Sequence, residues 1–168
     1  MFAWQFLKML NTSDRLGLSR FVTMQNHYNL IYREAEREMN SLCLAEGIGI
    51  IPWSPLARGF LAGNRHSGDK GETVRAKTDA FAHNLYYRED DYAVVDRLIG
   101  IAGKRGVGNA QIALAWLLAR PGITAPIIGA SKMQHLDDAV QALAIKLGPE
   151  DLKALEEPYR PHPVLGHQ

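Results

Sequence analysis

Three short apolar runs, Phe21-Val22-Thr23-Met24, Ile48-Gly49-Ile50-Ile51-Pro52 and Ala125-Pro126-Ile127-Ile128, interrupt an otherwise helical text. Runs that are continuous rather than alternating predict strands buried on both faces. Between them lie helical patterns. Phe2, Phe6, Met9 and Leu10 recur at helical spacing over residues 2–16, with Gly17 as the stop. Ala35, Met39, Leu42 and Cys43 line one face over residues 33–46, and Gly47 follows as the C′ residue. Val94, Val95, Leu98 and Ala102 mark a helix over 90–104. Ile112, Ala113, Trp116 and Leu117 mark another over 109–119, with Asn109 as its N-cap. Leu136, Val140 and Leu143 belong to a fifth, where Ser131 and Gln134 have capping-box spacing, and Pro149 opens a last one ending near residue 157. Such alternation demands a parallel sheet covered by helices. Three strands alone leave two bare edges around one interior strand, so the chain reads as a piece of something larger.

Composition narrows the function. The chain has 168 residues, 19 Lys+Arg against 18 Asp+Glu, and a net charge of +1. No basic block tracks a phosphate backbone, so nucleic acid is not an expected partner. One cysteine makes no internal disulfide, and no run of about 18 or more apolar residues predicts a membrane span. The expected compartment is the cytoplasm. A chain of about 150 residues buries roughly 70% of its unfolded surface, enough for a real core.

Polar and small residues gather where the three strands end: Gln25-Asn26-His27, Trp53-Ser54-Pro55-Leu56 and Gly129-Ala130-Ser131-Lys132. In α/β sheets the carboxyl edge is where ligands bind. The third cluster also opens a helix, whose free N–H groups and dipole favour an anion, with Lys132 adding charge. An aromatic ring at one strand end and an anion site at another suit a nucleotide. Residues 62–88 have no period and read as a long loop, of a length that is usually functional or disordered.

The runs Met24-Gln25-Asn26-His27-Tyr28-Asn29-Leu30, Pro52-Trp53-Ser54-Pro55-Leu56-Ala57-Arg58-Gly59, Ala113-Leu114-Ala115-Trp116-Leu117-Leu118 and Ile127-Ile128-Gly129-Ala130-Ser131 resemble the carboxyl-terminal half of an aldo-keto reductase. The likeness covers nearly the whole chain. It is closest to the branch containing bacterial reductases of broad carbonyl specificity and the potassium-channel β subunits. The resemblance implies an α/β fold, a partial (β/α)8 TIM barrel, in which residues 1–168 supply strands six, seven and eight with their helices, preceded by helix five.

It further implies a half-site for NADPH. Gln25 matches the glutamine that holds the nicotinamide carboxamide, and Trp53 the aromatic that stacks on the nicotinamide ring. Ser54, Leu56, Arg58 and Gly59 match the loop along the pyrophosphate, and Arg75 lies where a loop arginine often clamps the same phosphates. Ser131 and Lys132 match the segment that holds the 2′-phosphate and so favours NADPH over NADH, and Gly129 precedes them in the same cofactor-binding run. His135 stands where members usually carry Arg or Gln, and Ala139 where an adenine-contacting Asn is common.

The family's proton donor is a tyrosine assisted by lysine, aspartate and histidine, all in the other half of the barrel and matched by nothing here. A phenol of ordinary pKa near 10 is a poor acid at neutral pH without a cation to tune it. Tyr28 and His27 sit at a strand end, but no lysine follows a neighbouring strand to activate them. Three functional readings therefore stand. One is an NADPH-dependent carbonyl oxidoreductase, whose small carbonyl substrate needs the missing half. Another is a non-catalytic nucleotide-binding half barrel that self-associates through exposed strand edges, and the third is a truncated inactive product.

The remaining polar residues read as structural. Cys43 is a small core residue on an apolar helix face. The six histidines lack ligand spacing, so no metal site is expected. His162 and His167 belong to a proline-rich tail expected at the surface. Arg33, Glu34, Glu36 and Arg37 read as a solvated face with charge pairs worth a few tenths of a kcal/mol.

Overall fold

Helix α1 (Ala3–Leu16) forms because Phe6 and Leu10, one turn apart, fall on one face and are buried to within 2% of full exclusion. Its first free N–H, that of Phe2, donates to Gln5 Oε1 at 2.9 Å. Gly17 ends it at φ 66°, where a left-handed residue lets Leu18 N–H reach the Ser13 carbonyl. Phe2 and Met9, expected on the same buried face, are 45% and 38% exposed. The computed structural model that shows this describes residues 1–63 and 85–164.

Strand β1 (Thr23–Met24) pairs in parallel with β2 (Gly49–Ile50), Thr23 opposite Gly49 and Met24 opposite Ile50. The first apolar run is not buried as expected: Phe21 is 43% and Val22 73% exposed. Among the described residues β1 lies at the edge of the sheet and pairs with β2 alone; Phe21 meets the Phe6 ring at 5.8 Å and leaves the rest of its surface exposed. The helix expected over 33–46 also divides. A 3₁₀ turn (Glu34–Arg37) and helix α2 (Met39–Ala45) meet at Glu38, whose φ of −147° and ψ of −49° are not helical. The break follows from Arg33 and Glu34, which turn inward to partners on the last helix and the tail.

The third run pairs earlier than expected. Ile123, not the segment 125–128, forms a parallel bridge with Ile50. Ile50 N–H donates to the Gly122 carbonyl at 3.0 Å and Thr124 N–H to the Ile50 carbonyl at 2.9 Å. Gly122 makes the approach possible: its φ is +80°, and a Cβ there would stand 3.0 Å from Leu44. Pro126 then brings no N–H to a ladder, and only Ile127 N–H continues it, to the Pro52 carbonyl at 2.9 Å.

Helix α3 (Glu89–Arg105) ends at Gly106, and α4 (Asn109–Leu118) follows at once. Asn109 is not the N-cap. Gly108 holds that place, its N–H bound by Gln111 Oε1 at 2.7 Å, while the Asn109 amide reaches back to the Ala62 carbonyl. Helix α5 (Met133–Gln141) begins after Lys132 without a side-chain cap; Ser131 faces His135 at 3.5 Å, so the expected capping box does not form. No residue of α5 is buried: Leu136 and Val140 are 42% and 58% exposed, and Leu143, expected on the same helix, falls in the 3₁₀ turn Ala142–Ala144 beyond its end and is 61% exposed. Helix α6 (Pro149–Glu156) starts at Pro149 as expected.

Two clusters form the core. Phe6, Leu10, Met39, Cys43 and Ile50 join α1 and α2 to the sheet, and burial pushes the Cys43 thiol pKa up. Trp116, Phe60, Leu98, Tyr28 and Leu155 join α3, α4 and α6 beneath the site. The tail is not wholly at the surface. His162 is only 5% exposed, and its Nε2 lies 2.7 Å from Asp91 Oδ1 at the start of α3. No helix among the described residues is long and apolar enough to cross a membrane.

Candidate functional site

The ladder carries the chain ends of all three runs to one edge. Trp53 N–H donates to the Asn26 carbonyl at 2.9 Å, which sets His27 and Trp53 opposite each other in a parallel bridge. The bond from Ile127 to Pro52 adds the third segment on the other side. Gln25, Trp53 and the approach to Gly129 therefore share the carboxyl edge of the sheet.

Trp53 is half-buried and stands on a built support. His27 stacks against it with ring centroids 4.1 Å apart and 16° between planes, and Tyr32 stacks on the opposite face of His27 at 4.1 Å and 14°. His27 Nε2 is 2.5 Å from the Tyr86 hydroxyl, which donates to Ser54 Oγ at 3.2 Å. Asn29, fully buried, donates to the Ser54 carbonyl at 2.9 Å and accepts from the N–H groups of Ile31 and Tyr32. Burial drives the His27 pKa down to about 3, assisted by the nearby charge of His162, and drives that of Tyr86 up to about 12.

After Trp53 the backbone enters an unusual path. Ser54, Ala57 and Arg58 have φ of 56°, 48° and 57°, and Gly59 follows at 95°. Left-handed conformations at non-glycine residues cost free energy and persist only where the surroundings hold them, commonly at ligand sites. Here Asn29 grips Ser54 from below, while Ala57 and Phe60 are fully buried anchors. Ser54, Leu56, Arg58 and Gly59 are left half-buried along the edge, and a Cβ at Gly59 would meet nothing.

Gln25, Gly129, Ser131, Lys132 and His135 are all exposed. Arg75 lies outside the described residues. The sequence places His27 and Asn29 in the strand-end run but assigns neither a supporting role, and it gives no role to Tyr86. The adjacent pair Tyr86-Tyr87, after a stretch of mostly polar sequence, is the signal available for the latter.

Two neighbouring groups are structural. Tyr28 is buried, its hydroxyl donates to Glu36 at 2.5 Å, and burial raises its pKa far above that of a useful acid. The Arg33 group is no solvated face. Glu34 is 8% exposed and bound by Arg37 and Tyr159, while Arg33 pairs with Glu36 and Glu156 and lies over Trp116 and Tyr159. The local pairs expected from the spacing do form, Arg33 with Glu36 and Arg37 with Glu34, and Arg33 and Glu34 add partners on α6 and the tail over a hundred residues away.

Residues 3–160 match the profile of the Aldo/keto reductase family. The chain belongs to that family. Among its relatives, the versiconal hemiacetal acetate reductase of Aspergillus parasiticus is 42% identical over 167 residues, covering 98% of this chain and 48% of the relative. A Schizosaccharomyces pombe protein provisionally named an aryl-alcohol dehydrogenase is 43% identical over 166 residues, 99% of this chain and 46% of its own length. An aldo-keto reductase of Metarhizium robertsii is 42% identical over 170 residues, 99% and 44%. The chain thus spans about half the length of the curated relatives it matches. The family implies a (β/α)8 barrel, and the parallel pairing and covering helices are of its α/β class.

Proposed function

We propose that residues 1–168 are the carboxyl-terminal, cofactor-holding part of an NADPH-dependent carbonyl oxidoreductase and correspond to strands six to eight of the barrel. The observation that carries this reading is the row of Gln25, Trp53 and the left-handed loop Ser54–Gly59 along one carboxyl edge, in a chain of this family. The residues fit such a cofactor. Trp53 offers a ring backed on one face by His27. Gln25 offers both a donor and an acceptor to a carboxamide, and the neighbouring Asn26 Oδ1 is buried with no partner among the described residues. The backbone of Ser54–Gly59, with Arg58, offers N–H groups and charge to a pyrophosphate, and Ser131 and Lys132 offer the same to a 2′-phosphate. Gly129 lets that segment pass close to a ligand, His135 follows it on α5, and the cofactor when bound supplies hydride.

We assign these residues to binding and orientation, since among the described residues the groups beneath Trp53 are poor proton donors. The hydroxyls of Tyr28 and Tyr86 are made weaker acids by burial, and His27 is held neutral. The names of the relatives point to aromatic alcohols and carbonyls as the substrate class of the whole protein. With NADPH and an aromatic aldehyde the 168-residue chain should retain the cofactor without oxidising it. Turnover above background that is lost in Trp53→Ala would contradict the absence of an acid.

A second reading, a nucleotide-binding half barrel that associates with another copy, is favoured by the exposed Phe21, Val22, Leu136, Val140 and Leu143. Light scattering after size exclusion separates the two: a stable monomer removes the second. Under either reading the location proposed is cytoplasmic.

A further inference from the structure

Trp53, His27 and Tyr32 form three nearly parallel rings in contact, with both centroid spacings 4.1 Å. Only one member, Trp53, is accounted for by the cofactor reading. The other two are built with care. His27 and Trp53 are opposite each other in the ladder, so the residues whose backbones pair are those whose rings stack. The imidazole cannot turn freely, because Nε2 is tied to the Tyr86 hydroxyl at 2.5 Å, and that hydroxyl is tied in turn to Ser54 and Asn29. Behind Tyr32, the tail's His162 stands edge-on at 6.0 Å, locked to Asp91. The stack therefore runs from the tail to the face of Trp53.

A tryptophan at a strand end has free rotation about two side-chain bonds, and a ligand that stacks on it must first fix both. A neutral, rigid plate behind the indole removes that cost before the ligand arrives. We propose that His27 is a positioning residue whose ring, held between Tyr32 and Trp53 and tied to Tyr86, sets the plane in which Trp53 receives a nicotinamide ring. The proposal rests on the cofactor reading above and goes beyond it by assigning a role to a residue that touches no ligand.

The test compares His27→Leu, which fills the space without an aromatic plane, with His27→Phe, which restores one. Two quantities are read in the 168-residue chain: the dissociation constant for NADPH by calorimetry, and the near-ultraviolet dichroism of the unliganded protein. His27→Leu should weaken NADPH about tenfold and alter the tryptophan dichroism, while His27→Phe should return affinity to within about threefold. Unchanged affinity in His27→Leu, or equal loss in both variants, overturns the proposal. Should His27→Leu not fold, Tyr32→Leu frees the other face of the same ring and must weaken NADPH likewise; unchanged affinity there is equally fatal. An unaltered chain that takes up no NADPH overturns the cofactor reading and this proposal together, whereas binding indifferent to His27 overturns this one alone.

Discussion

His162, from the tail, and Asp91, at the start of α3, are joined by a hydrogen bond of 2.7 Å between Nε2 and Oδ1, with both side chains only 3% exposed. Asp91 serves twice: its Oδ2 also accepts the Arg88 N–H at 3.0 Å, closing the first turn of the helix. The tail, through this contact, is part of the folded core that supports the site.

The double duty makes the two partners unequal. Asp91→Ala should destabilise the chain by about 3 to 5 kcal/mol, since it leaves a buried imidazole and a helix N–H both without an acceptor. His162→Ala should cost less, about 2 to 3 kcal/mol, because the helix cap survives. Urea denaturation of both variants gives the order; a costlier His162→Ala would contradict the role of Asp91 as cap.

His27 should impose an acid sensitivity. Burial first, and the charge of His162 second, lower its pKa from 6.5 to about 3 in the folded chain. Between those values the unfolded chain binds the proton and the folded chain does not, so this stabilisation is complete above pH 6.5 and is lost as pH falls toward 3. The slope is on the order of 1 kcal/mol per pH unit within that window. Denaturation midpoints of the unaltered chain should therefore fall more steeply below pH 6.5 than those of His27→Phe; parallel curves would mean that His27 is free to protonate when folded.

Glu156 ties together three side chains. Its Oε1 accepts from Trp116 Nε1 at 3.0 Å and Arg120 at 2.8 Å, and its Oε2 pairs with Arg33 at 3.3 Å. Both guanidiniums also lie over the Trp116 ring. Removal of the carboxylate leaves two like charges facing one aromatic. Glu156→Ala should cost about 2 kcal/mol, below the value for a fully buried pair because the Glu156 side chain keeps 26% of its exposure. A change within about 0.5 kcal/mol by calorimetric melting would show the pairs to be no better than surface ones.

Arg58 trades stability for binding. Its φ of 57° is expensive for any residue with a Cβ and free for glycine. Relief of about 1 to 2 kcal/mol, reduced by the added freedom of glycine when unfolded, should leave Arg58→Gly more stable by roughly 0.5 to 1 kcal/mol. Under the proposed cofactor reading the same variant should bind NADPH less tightly, having lost the cation that this reading assigns to the phosphates. Loss of stability in this variant would show that the Arg58 side chain, not its backbone, governs the loop.

Some of this was legible in the sequence for identifiable reasons. Gly17 and Gly47 announced helix ends because only a left-handed residue closes those turns, and both take positive φ. The clusters around Gln25 and Trp53 announced a strand edge because polar residues after a buried run have nowhere else to go. Local pattern was silent where distant partners decide. Glu38 breaks a helix whose apolar spacing is unbroken, because Arg33 and Glu34 answer to Glu156 and Tyr159. Ile123 takes the place in the ladder expected of residues 125–128, because Gly122 allows a close approach and Pro126 has no donor. Nothing near His162 in the sequence suggested a buried partner at Asp91. Capping followed a different signal from the one sought at Ser131: Gln5, Asp91, Gln111 and Asp151 each reach back three residues to the N–H that precedes their helix.

The central claim, that this chain by itself holds a nicotinamide dinucleotide against Trp53, is tested most directly by titrating the 168-residue chain and its Trp53→Ala variant with NADPH in a calorimeter. Saturable binding at one site is expected, weakened at least tenfold in the variant while far-ultraviolet dichroism is unchanged. Absence of binding, or binding of equal strength in both proteins, would contradict it.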